Sequence, residues 1–414
     1  MACGMDTVGR LRDTVKRVFG VNALFRDRMR ALGMTPDDIR SLEDFRKVPF
    51  MTKQDLRDRA PFESMSCSRK DVVRMHASSG TSGTPTFVPY SRADLDGWTD
   101  AMADCLRMAG MTGDDVLQVA FGYGLFTGGL GFHYGGERIG ATVIPAGGGF
   151  TERQLMLMEA LGTTVLACTP SYALHLAERI EESGVRSRLR LRMAILGGEA
   201  WSEELRRSLE GRLDVIALNI YGLSEIMGPG VAMECPHRDG MHIDGKRFFA
   251  EIVDPDTFEP LSDGETGELV ITPIAKEALP LVRYRTRDLT SMTHDRCACG
   301  RDGVRIGRVP GRNDDMLIIR GVNVFPSQIE SVLPRVPGLS LQYRIDVSER
   351  EGLKELSLLC EAEQDIPVAA YGALARESAA ALRDVLGIRV ELRVVEPGAL
   401  GRSDGKTNRV RRVA

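Results

Sequence analysis

Short apolar runs alternate with helix-forming stretches through most of the chain. The runs lie at residues 116–120, 165–168, 193–196 and 215–219, and each ends in glycine or polar turn residues. Stretches with helical spacing occupy residues 152–160 and 173–182 between them. This alternation predicts an α/β domain with a β-sheet that is covered by helices. Ligands bind beyond the carboxyl ends of the strands in such sheets, and glycine-rich and acidic segments follow the strands here.

The two ends of the chain differ from this middle part. Residues 7–32 carry apolar side chains at helical spacing among arginines, which predicts one amphipathic helix packed on the main body. After Gly311 there are apolar runs at 316–319, 356–360 and 388–392, and a helical stretch near 369–386. About a hundred residues of this kind predict a separate, compact α+β domain.

Composition narrows the classes of function. With 414 residues the chain is long enough for at least two domains. Its net charge is −4 and its basic residues are dispersed, so no surface for nucleic acid or for an anionic membrane is predicted. We find neither a membrane-spanning run nor the apolar core of a signal peptide, and the eight cysteines are too sparse for a disulfide scaffold. We therefore expect a cytoplasmic protein with reduced thiols that acts on small molecules.

One loop carries the clearest chemical signal. Residues 77–86 gather hydroxyl side chains around Gly80 and Gly83, so that backbone N–H groups and hydroxyls can wrap a polyphosphate. No lysine follows Gly83, which argues against the phosphate loop of Walker-type NTPases. A nucleotide triphosphate loop is the functional interpretation, and a surface loop rich in serine, threonine and glycine is the alternative.

Seven segments follow one another in a set order. The first two are the loop at 78–85 and the glycine- and aromatic-rich stretch at 121–135, and the other five lie at 196–201, 221–225, 284–289, 311–316 and 405–406. Together they resemble the acyl-adenylate-forming ligases and in particular their phenylacetate-CoA ligase branch. The resemblance covers nearly the whole chain, and it implies a large N-terminal adenylate-forming domain with helix-covered β-sheets at residues 1–310. A hinge at 311–315 and a small α+β C-terminal lid domain at 316–414 would follow.

The resemblance implies an ATP-dependent acid–CoA ligase. Such an enzyme activates an aryl or arylacetic acid, phenylacetate or a similar acid, as acyl-AMP and transfers the acyl group to coenzyme A. Its cofactors would be ATP, Mg²⁺ and coenzyme A. Family members often pair, but the sequence leaves open whether this chain forms a homodimer. Two alternatives stay open. One is a stand-alone aryl or amino acid adenylating enzyme whose acceptor is a carrier protein, an amine or a cofactor, and the other is a non-catalytic adenylate-fold binding protein.

The same resemblance implies roles in binding ATP and magnesium. Glu225 is similar to the family's magnesium ligand, Tyr221 would stack on adenine, and Ser224 would face the phosphates. Asp288 is placed like the ligand of the ribose hydroxyls, with Arg308 as its companion, although a surface ion pair is the competing account. The full nucleotide-binding set comprises Ser78, Ser79, Gly80, Thr81, Ser82, Gly83, Gly198, Glu199, Ala200, Tyr221, Gly222, Ser224, Asp288 and Arg308.

Other positions concern the acid and the lid. Tyr123, Phe126 and Gly129 lie where the phenylacetate-CoA ligase branch forms its acyl pocket, and core packing is the alternative for each aromatic ring. Lys406 resembles the catalytic lysine that the lid brings into the site for adenylate formation. Asp314 resembles the hinge residue about which the lid reorients.

The phosphate loop departs from the branch at one position. Thr84 stands where the branch usually has lysine. Without that cation, we expect slower adenylation or a stronger dependence on magnesium and backbone donors. The departure also leaves open which aryl acid is used, with indoleacetate, hydroxybenzoates and anthranilates as candidates beside phenylacetate.

Three cysteines and a histidine form a second constellation. Cys235 and His242, together with Cys297 and Cys299, could supply the four ligands of a structural zinc site. The spacing is not that of a standard zinc finger, and His237 is an alternative ligand. Some members of the phenylacetate-CoA ligase-like group carry zinc at corresponding positions. Thiols without a metal are the competing interpretation.

Overall fold

The structure of the chain is a computed structural model, and it describes residues 2–58, 62–63, 65–78, 85–312, 317–319, 322–324, 326–350, 353–401 and 409–412. The chain divides into two compact units. The first comprises the chain up to Gly147 together with Thr164–Ala167 and Leu218–Arg308. The second comprises Gly148–Thr163, Cys168–Ala217 and the chain from Val309. The domain boundaries at 310 and 316 stay a prediction from the sequence.

Helices occur in both units. Among the residues that the structure describes, no helix combines the length and the apolar composition that a membrane span requires. Short 3₁₀ turns lie at Pro36–Asp38, Arg69–Asp71, Arg186–Arg188, Leu333–Arg335 and Val368–Ala370. The α-helices are α1 (Ala2–Val21), α2 (Ala23–Ala31), α3 (Leu42–Arg46), α4 (Lys53–Arg57), α5 (Arg92–Met108), α6 (Gly128–Ile139), α7 (Thr151–Leu161), α8 (Pro170–Ser183), α9 (Glu203–Leu213), α10 (Pro326–Val332) and α11 (Tyr371–Leu386).

Strands are more numerous and mostly short. They are β1 (Val72–Ser78), β2 (Thr86–Ser91), β3 (Val116–Val119), β4 (Thr142–Ile144), β5 (Val165–Cys168), β6 (Met193–Gly197), β7 (Ile216–Leu223), β8 (Gly228–Glu234), β9 (Met241–Ile243), β10 (Phe248–Val253), β11 (Gly267–Pro273), β12 (Tyr284–Thr290), β13 (Met292–Thr293), β14 (Arg305–Ile306), β15 (Gly311–Arg312), β16 (Leu317–Ile319), β17 (Val322–Val324), β18 (Leu339–Arg350), β19 (Leu353–Ala362), β20 (Glu391–Val395) and β21 (Val410–Arg412).

Buried strands build the first unit. Strands β3 and β5 are two of the apolar runs that predict strands, and they pair in parallel, with β4 parallel to β3 on its other side. Antiparallel pairs join β7 to β8, β8 to β9 and β9 to β14. A further antiparallel sheet contains β10, β11 and β12, and every residue of β11 is buried. These sheets and their helices confirm the predicted α/β fold class.

The second unit contains a small mixed sheet beside helix α11. Strands β18 and β19 pair antiparallel, while β20 runs parallel to β19 and β21 parallel to β18. Side chains such as Ile345, Leu358 and Leu382 share one apolar core. The strand predicted at 388–392 begins later, at Glu391. Gly387 ends α11 in the left-handed conformation (φ 70°), and the chain needs the next residues to turn towards β19.

The prediction of a single helix over residues 7–32 is wrong. Helix α1 ends at Val21 and α2 begins at Ala23. Between them Asn22 has an extended backbone (φ −101°, ψ 102°), and its side chain accepts a hydrogen bond from the Phe25 N–H at 3.0 Å. The Asn22 amide thus caps a new helix instead of continuing the old one, a local preference that apolar spacing does not report.

Glycines allow helices α5 and α6 to approach closely. A Cβ atom at Gly135 would lie 2.6 Å from Cβ of Met102, and one at Gly131 would lie 2.8 Å from the Trp98 ring. Neither glycine can therefore carry a side chain without a movement of the residues that pack against it.

We expect Gly135→Ala to lower the free energy of unfolding by about 1–3 kcal/mol, because the added methyl group overpacks the contact with Met102. Gly97 on α5 is the matched control, since a Cβ atom there would meet nothing within 4 Å. Gly97→Ala should raise the free energy of unfolding by up to about 1 kcal/mol through helix propensity. Urea unfolding measures both effects, and equal shifts in the two variants would contradict this account of the packing.

Candidate active site

The predicted magnesium ligand lies in a tight turn at residues 224–227, between β7 and β8. Gly222, near the end of β7, pairs with Pro229 on β8. A Cβ atom at Gly222 would lie 1.8 Å from the carbonyl oxygen of Gly228, so only glycine permits this hairpin. The hairpin places the buried side chain of Glu225 just beyond the carboxyl end of β7.

Buried donors hold the main chain of this turn. The Tyr90 hydroxyl shares its one hydrogen between the carbonyl oxygens of Ser224 at 3.2 Å and Met227 at 3.1 Å. Lys276 Nζ donates to the carbonyl oxygen of Glu225 at 2.8 Å. Three carbonyl groups of a four-residue turn thus have a partner from another part of the first unit, which fixes the turn in one conformation.

Trp98 extends this support into strand β8. Its Nε1 donates to the carbonyl oxygen of Pro229 at 2.8 Å, and its ring stacks on that of Tyr90 with the centroids 5.6 Å apart. The roles of Tyr90, Trp98 and Lys276 cannot be predicted from the sequence, because they depend on contacts with residues far away in the chain. A lone lysine in the apolar stretch after β11 was the available signal for Lys276.

Lys276 is a fully buried cation. Its Nζ lies 4.8 Å from the centroid of the Tyr90 ring. Desolvation lowers the pKa of Lys276 to about 8, while the carboxylates of Asp94 and Glu225 oppose the shift. Asp94 also fixes the local main chain, because its two oxygens accept hydrogen bonds from the N–H groups of the next two residues after Lys276, at 2.6 and 2.9 Å.

The Glu225 carboxylate forms an ion pair with Lys53 of α4, a contact that no sequence motif predicts. Lys53 Nζ lies 2.9 Å from Glu225 Oε1, and the two side chains are 25% and 5% exposed. Lys53 is the first residue of α4, whose N-terminus is set by a capping box between Thr52 and Asp55. Arg28 binds the Asp55 carboxylate through two hydrogen bonds, at 2.9 and 2.7 Å, and so anchors the helix.

Two residues of the predicted nucleotide site are in direct contact. The Tyr221 hydroxyl donates to Asp288 Oδ2 at 2.5 Å, and both side chains are partly exposed. Ser224 Oγ lies 3.2 Å from Thr127 Oγ1, so the loop before α6 reaches the same turn. Arg308, the predicted companion of Asp288, follows β14 in the first unit and is also partly exposed.

The predicted acyl-pocket residues lie in the loop before α6 and in its first turn. Tyr123 is partly buried, and its hydroxyl lies 3.3 Å from His133 Nδ1. A Cβ atom at Gly129 would lie 2.9 Å from the carbonyl oxygen of Gly122, so glycine lets the loop fold tightly onto the helix.

The tip of this loop exposes apolar surface beside strand β1. Leu125 and Phe126 are 57% and 53% exposed. The Ala77 N–H donates to the Leu125 carbonyl oxygen at 2.9 Å, and His76 Nδ1 lies 3.0 Å from the same oxygen. Since Ser78 ends β1, the start of the predicted phosphate loop lies next to the predicted acyl pocket.

Parts of the predicted site lie outside the described residues. They are Ser79, Gly80, Thr81, Ser82, Gly83 and Thr84 of the phosphate loop, Asp314 of the hinge, and Lys406. The segment Gly198–Glu199–Ala200 is described in the second unit, directly after β6. There Gly198 has a left-handed backbone (φ 82°), and Glu199 Oε2 accepts from the N–H and hydroxyl of Ser171 at the start of α8, at 3.2 and 2.7 Å.

The predicted metal ligands come together in the first unit. The candidate ligand atoms of Cys235, His242, Cys297 and Cys299 all lie within 4.8 Å of one another. Cys235 Sγ is 3.7 Å from Cys297 Sγ, and Cys299 Sγ is 3.5 Å from His242 Nε2. His237 is exposed and lies outside this cluster, which leaves His242 as the histidine of the group.

Secondary structure explains how the cluster forms. Cys235 follows β8, His242 lies in β9, and Cys297 and Cys299 precede β14. Strand β9 pairs with both β8 and β14, with His242 opposite Arg305. Burial raises the pKa of the Cys235 thiol to about 11. Three sulfurs and one imidazole nitrogen at this spacing match the donor set and the number of ligands that zinc takes in closed structural sites.

The buried lysine predicts a pH dependence of stability. Its folded pKa of about 8 lies below the value of 10.5 in the unfolded chain, so only the unfolded chain holds the proton between these pH values. Stability therefore rises with pH across this window, by up to about 3 kcal/mol. We expect the free energy of unfolding of the wild type, minus that of Lys276→Met, to increase by this amount in urea titrations from about pH 8 to pH 10.5. A constant difference would show that the pKa of Lys276 is normal.

Family models match both parts of the chain. The AMP-binding enzyme model matches residues 24–273, and the model for the AMP-binding enzyme C-terminal domain matches residues 321–412.

Individual relatives align over almost the full length. The chain is 45% identical to the phenylacetate-coenzyme A ligase of Escherichia coli over 407 residues, which is 97% of this chain and 92% of the relative. It is 44% identical to the phenylacetate-coenzyme A ligase of Thermus thermophilus over 421 residues, 98% and 94% of the two chains. Among solved structures, 2-hydroxyisobutyryl-CoA ligase in the postadenylation state with R3-HIB-AMP has a TM-score of 0.92 at 26% identity, over 98% of this chain and 89% of that chain. These matches place the chain among the AMP-binding enzymes, in the phenylacetate-CoA ligase-like group of AMP-forming acid–thiol ligases, as the sequence predicts.

Proposed function

We propose that the protein activates an aryl or arylacetic acid with ATP and transfers the acyl group to coenzyme A. In the first step, an oxygen of the acid attacks the α-phosphorus, the bond to the pyrophosphate group breaks, and acyl-AMP forms. In the second step, the thiol of coenzyme A attacks the acyl carbon, loses its proton, and releases AMP. The hairpin that holds Glu225 and presents Tyr221 to Asp288 is the observation that carries this proposal.

The nucleotide would lie along this hairpin. Glu225 is the proposed magnesium ligand, because a hard carboxylate oxygen suits an ion that otherwise keeps phosphate and water ligands. Asp288 would accept hydrogen bonds from the ribose hydroxyls, with Tyr221 against adenine and Arg308 nearby. The loop from Ser78 to Gly83 would wrap the phosphates, and the main chain of Gly198–Glu199–Ala200 would line the adenine edge.

The acid would lie against the loop before α6. Tyr123 and Phe126 supply aromatic surface, and Gly129 leaves room for a flat ring. Phe126 is half exposed, and Leu125 beside it is similarly exposed, which supports a role in covering a ligand more than a role in the core. The relatives with 44–45% identity make phenylacetate or a close analogue the first acid to test.

Lys406 and Asp314 complete the proposed cycle through the C-terminal domain. Lys406 would stabilise the charge that develops at the α-phosphate during adenylation, and Asp314 would be the hinge for the reorientation before thioester formation. A cytoplasmic location stays a prediction from the composition, and whether the chain forms a homodimer stays open.

Acid-dependent release of pyrophosphate tests the proposed reaction. In a panel of aryl and aliphatic acids with ATP and Mg²⁺, we expect release with an aryl or arylacetic acid, and its CoA thioester when coenzyme A is added. Lys406→Ala should lower the rate by about 100-fold or more, because it removes a preorganised charge at the reacting group. Lys70→Ala, at an exposed lysine of a 3₁₀ turn, is the control that should keep the wild-type rate.

The acceptor separates this proposal from its alternatives. Acyl-AMP that forms without any thioester would favour a carrier protein, an amine or a cofactor as acceptor. No pyrophosphate release with any acid would favour a non-catalytic binding protein.

We also propose that Cys235, His242, Cys297 and Cys299 bind a structural zinc ion. The proximity of their four ligand atoms supports this assignment. Bound zinc would connect the end of β8 to the segment before β14, and would therefore stiffen the sheet edge that follows the Glu225 turn. Because all four positions would hold protein ligands, none would be open for a substrate.

Metal analysis of the purified protein checks the zinc proposal. We expect about one zinc ion per chain in the wild type. Cys297→Ala should lose the zinc and lower the thermal midpoint, since binding to a structural site stabilises the folded state. Cys67→Ala is the control, because Cys67 is a free thiol outside the cluster and its loss should leave the zinc content unchanged. Wild-type protein that contains no zinc after expression in zinc-supplemented medium would contradict the assignment.

A further inference from the structure

Two buried arginine–glutamate pairs connect β12 and the residue before it to strands β11 and β10. Arg285 binds Glu268 of β11 through two hydrogen bonds, at 3.0 and 2.6 Å. Arg283 binds Glu251 of β10 in the same way, at 3.0 and 3.2 Å. All four side chains are at most 9% exposed. The two pairs therefore have similar chemistry and burial in the same part of the structure.

Glu268 differs from Glu251 in that it also accepts a hydrogen bond from the main chain. Glu268 Oε1 accepts a hydrogen bond from the Arg287 N–H at 3.2 Å, in addition to that from Arg285. The Glu251 carboxylate, within the part of the chain that the structure describes, bonds to the Arg283 guanidinium alone. A buried carboxylate that accepts a backbone N–H fixes the position of that peptide group.

The main chain that Glu268 holds is a bulge in β12. Glu268 pairs with Leu289 and Val270 pairs with Arg285, so the three residues 286–288 lie opposite Leu269 alone. Such a bulge redirects the side chains of the strand that contains the extra residues.

The bulge requires an unfavourable backbone conformation. Arg287 has φ 68°, in the left-handed region that costs a residue with a side chain about 1 kcal/mol or more. Thr286 helps to hold this conformation, because its hydroxyl donates to the Leu269 carbonyl oxygen at 2.7 Å and accepts from the Asp288 N–H at 3.1 Å. Glu268 thus holds the N–H of the strained Arg287, and Thr286 holds the N–H of the next residue, Asp288.

We propose that Glu268 is a positioning residue for ATP: by holding the Arg287 N–H, it maintains the bulge that presents the Asp288 carboxylate to the ribose. The 2.5 Å contact between Asp288 and the Tyr221 hydroxyl shows where the bulge directs this carboxylate. The inference rests on the proposed role of Asp288 as the ribose ligand. Glu268 itself would touch neither ATP nor the acid. Its substitution should therefore affect only the recognition of the ribose.

Glu268→Gln and Glu251→Gln form a matched pair of variants for the test. Each neutralises one buried partner of an arginine, so both should lose stability, and urea unfolding measures the loss. The diagnostic quantity is the ratio of kcat/KM for ATP to kcat/KM for 2′,3′-dideoxy-ATP in acid-dependent pyrophosphate release. This ratio measures how much the ribose hydroxyl groups contribute to kcat/KM, and a general loss of stability does not change it.

We expect Glu268→Gln to lower this ratio about tenfold, because its amide offers one neutral acceptor oxygen to the three donors that the carboxylate serves and turns an NH2 donor towards Arg285. The KM for the acid should not change. Glu251→Gln should keep the wild-type ratio. Thr286→Val provides a second variant if Glu268→Gln fails to fold, because it removes both contacts of the Thr286 hydroxyl but leaves the buried ion pairs in place, and it should also lower the ratio.

Asp288→Ala separates this inference from the proposed function. If Asp288→Ala lowers the ratio while Glu268→Gln and Thr286→Val leave it at the wild-type value, Glu268 does not position Asp288, and the inference is wrong. An equal decrease in Glu251→Gln would also overturn it, because the effect would then be common to both ion pairs. If Asp288→Ala itself keeps the wild-type ratio, the ribose role of Asp288 is wrong and the inference fails with it.

Discussion

The proposed active site depends on one requirement, that the carbonyl groups of the turn after β7 have hydrogen-bond partners away from water. Tyr90 and Lys276 supply the partners, and Trp98 does the same at the start of β8. A buried carbonyl group without a partner costs free energy, so the turn is stable only in the conformation that meets these donors. The direction of the Glu225 side chain follows from that conformation. Glycine at position 222 is the second condition, because the returning strand leaves no space for a side chain.

Three buried charged side chains of the first unit also fix the main chain. Lys276 binds a carbonyl group, Asp94 binds two N–H groups, and Glu268 binds one. Burying each of these groups has a desolvation cost, and an ion pair alone often does not offset it. Their contacts with the backbone give the charges a further role, since they hold segments that would otherwise relax. Lys276 and Glu268 hold the segments that contain Glu225 and Asp288, the two carboxylates proposed to bind the nucleotide, and Asp94 holds the main chain directly after Lys276.

The sequence predicts the local elements better than the contacts between them. Apolar runs predict β3, β5 and β6, and helical spacing predicts most of α7 and α8 and all of α11, because these patterns depend on neighbours in the chain. The four metal-ligand candidates also come together as predicted, since their side-chain chemistry restricts their possible roles. Tyr90, Lys276 and Glu268 were not predicted. An aromatic residue, a lysine or a glutamate has many possible environments, and only the folded chain shows which main-chain groups each one meets.

The ion pair between Lys53 and Glu225 gives the proposed metal ligand a counter-ion from the protein itself. Lys53 Nζ lies 2.9 Å from Oε1, so a divalent cation at Glu225 would either displace the ammonium group or bind the second carboxylate oxygen beside it. In both cases the apparent affinity for the cation includes its interaction with Lys53. Because Lys53 belongs to the first turn of α4, its ammonium group would stay near the bound cation, in a protein whose predicted phosphate loop has Thr84 where the branch usually has lysine.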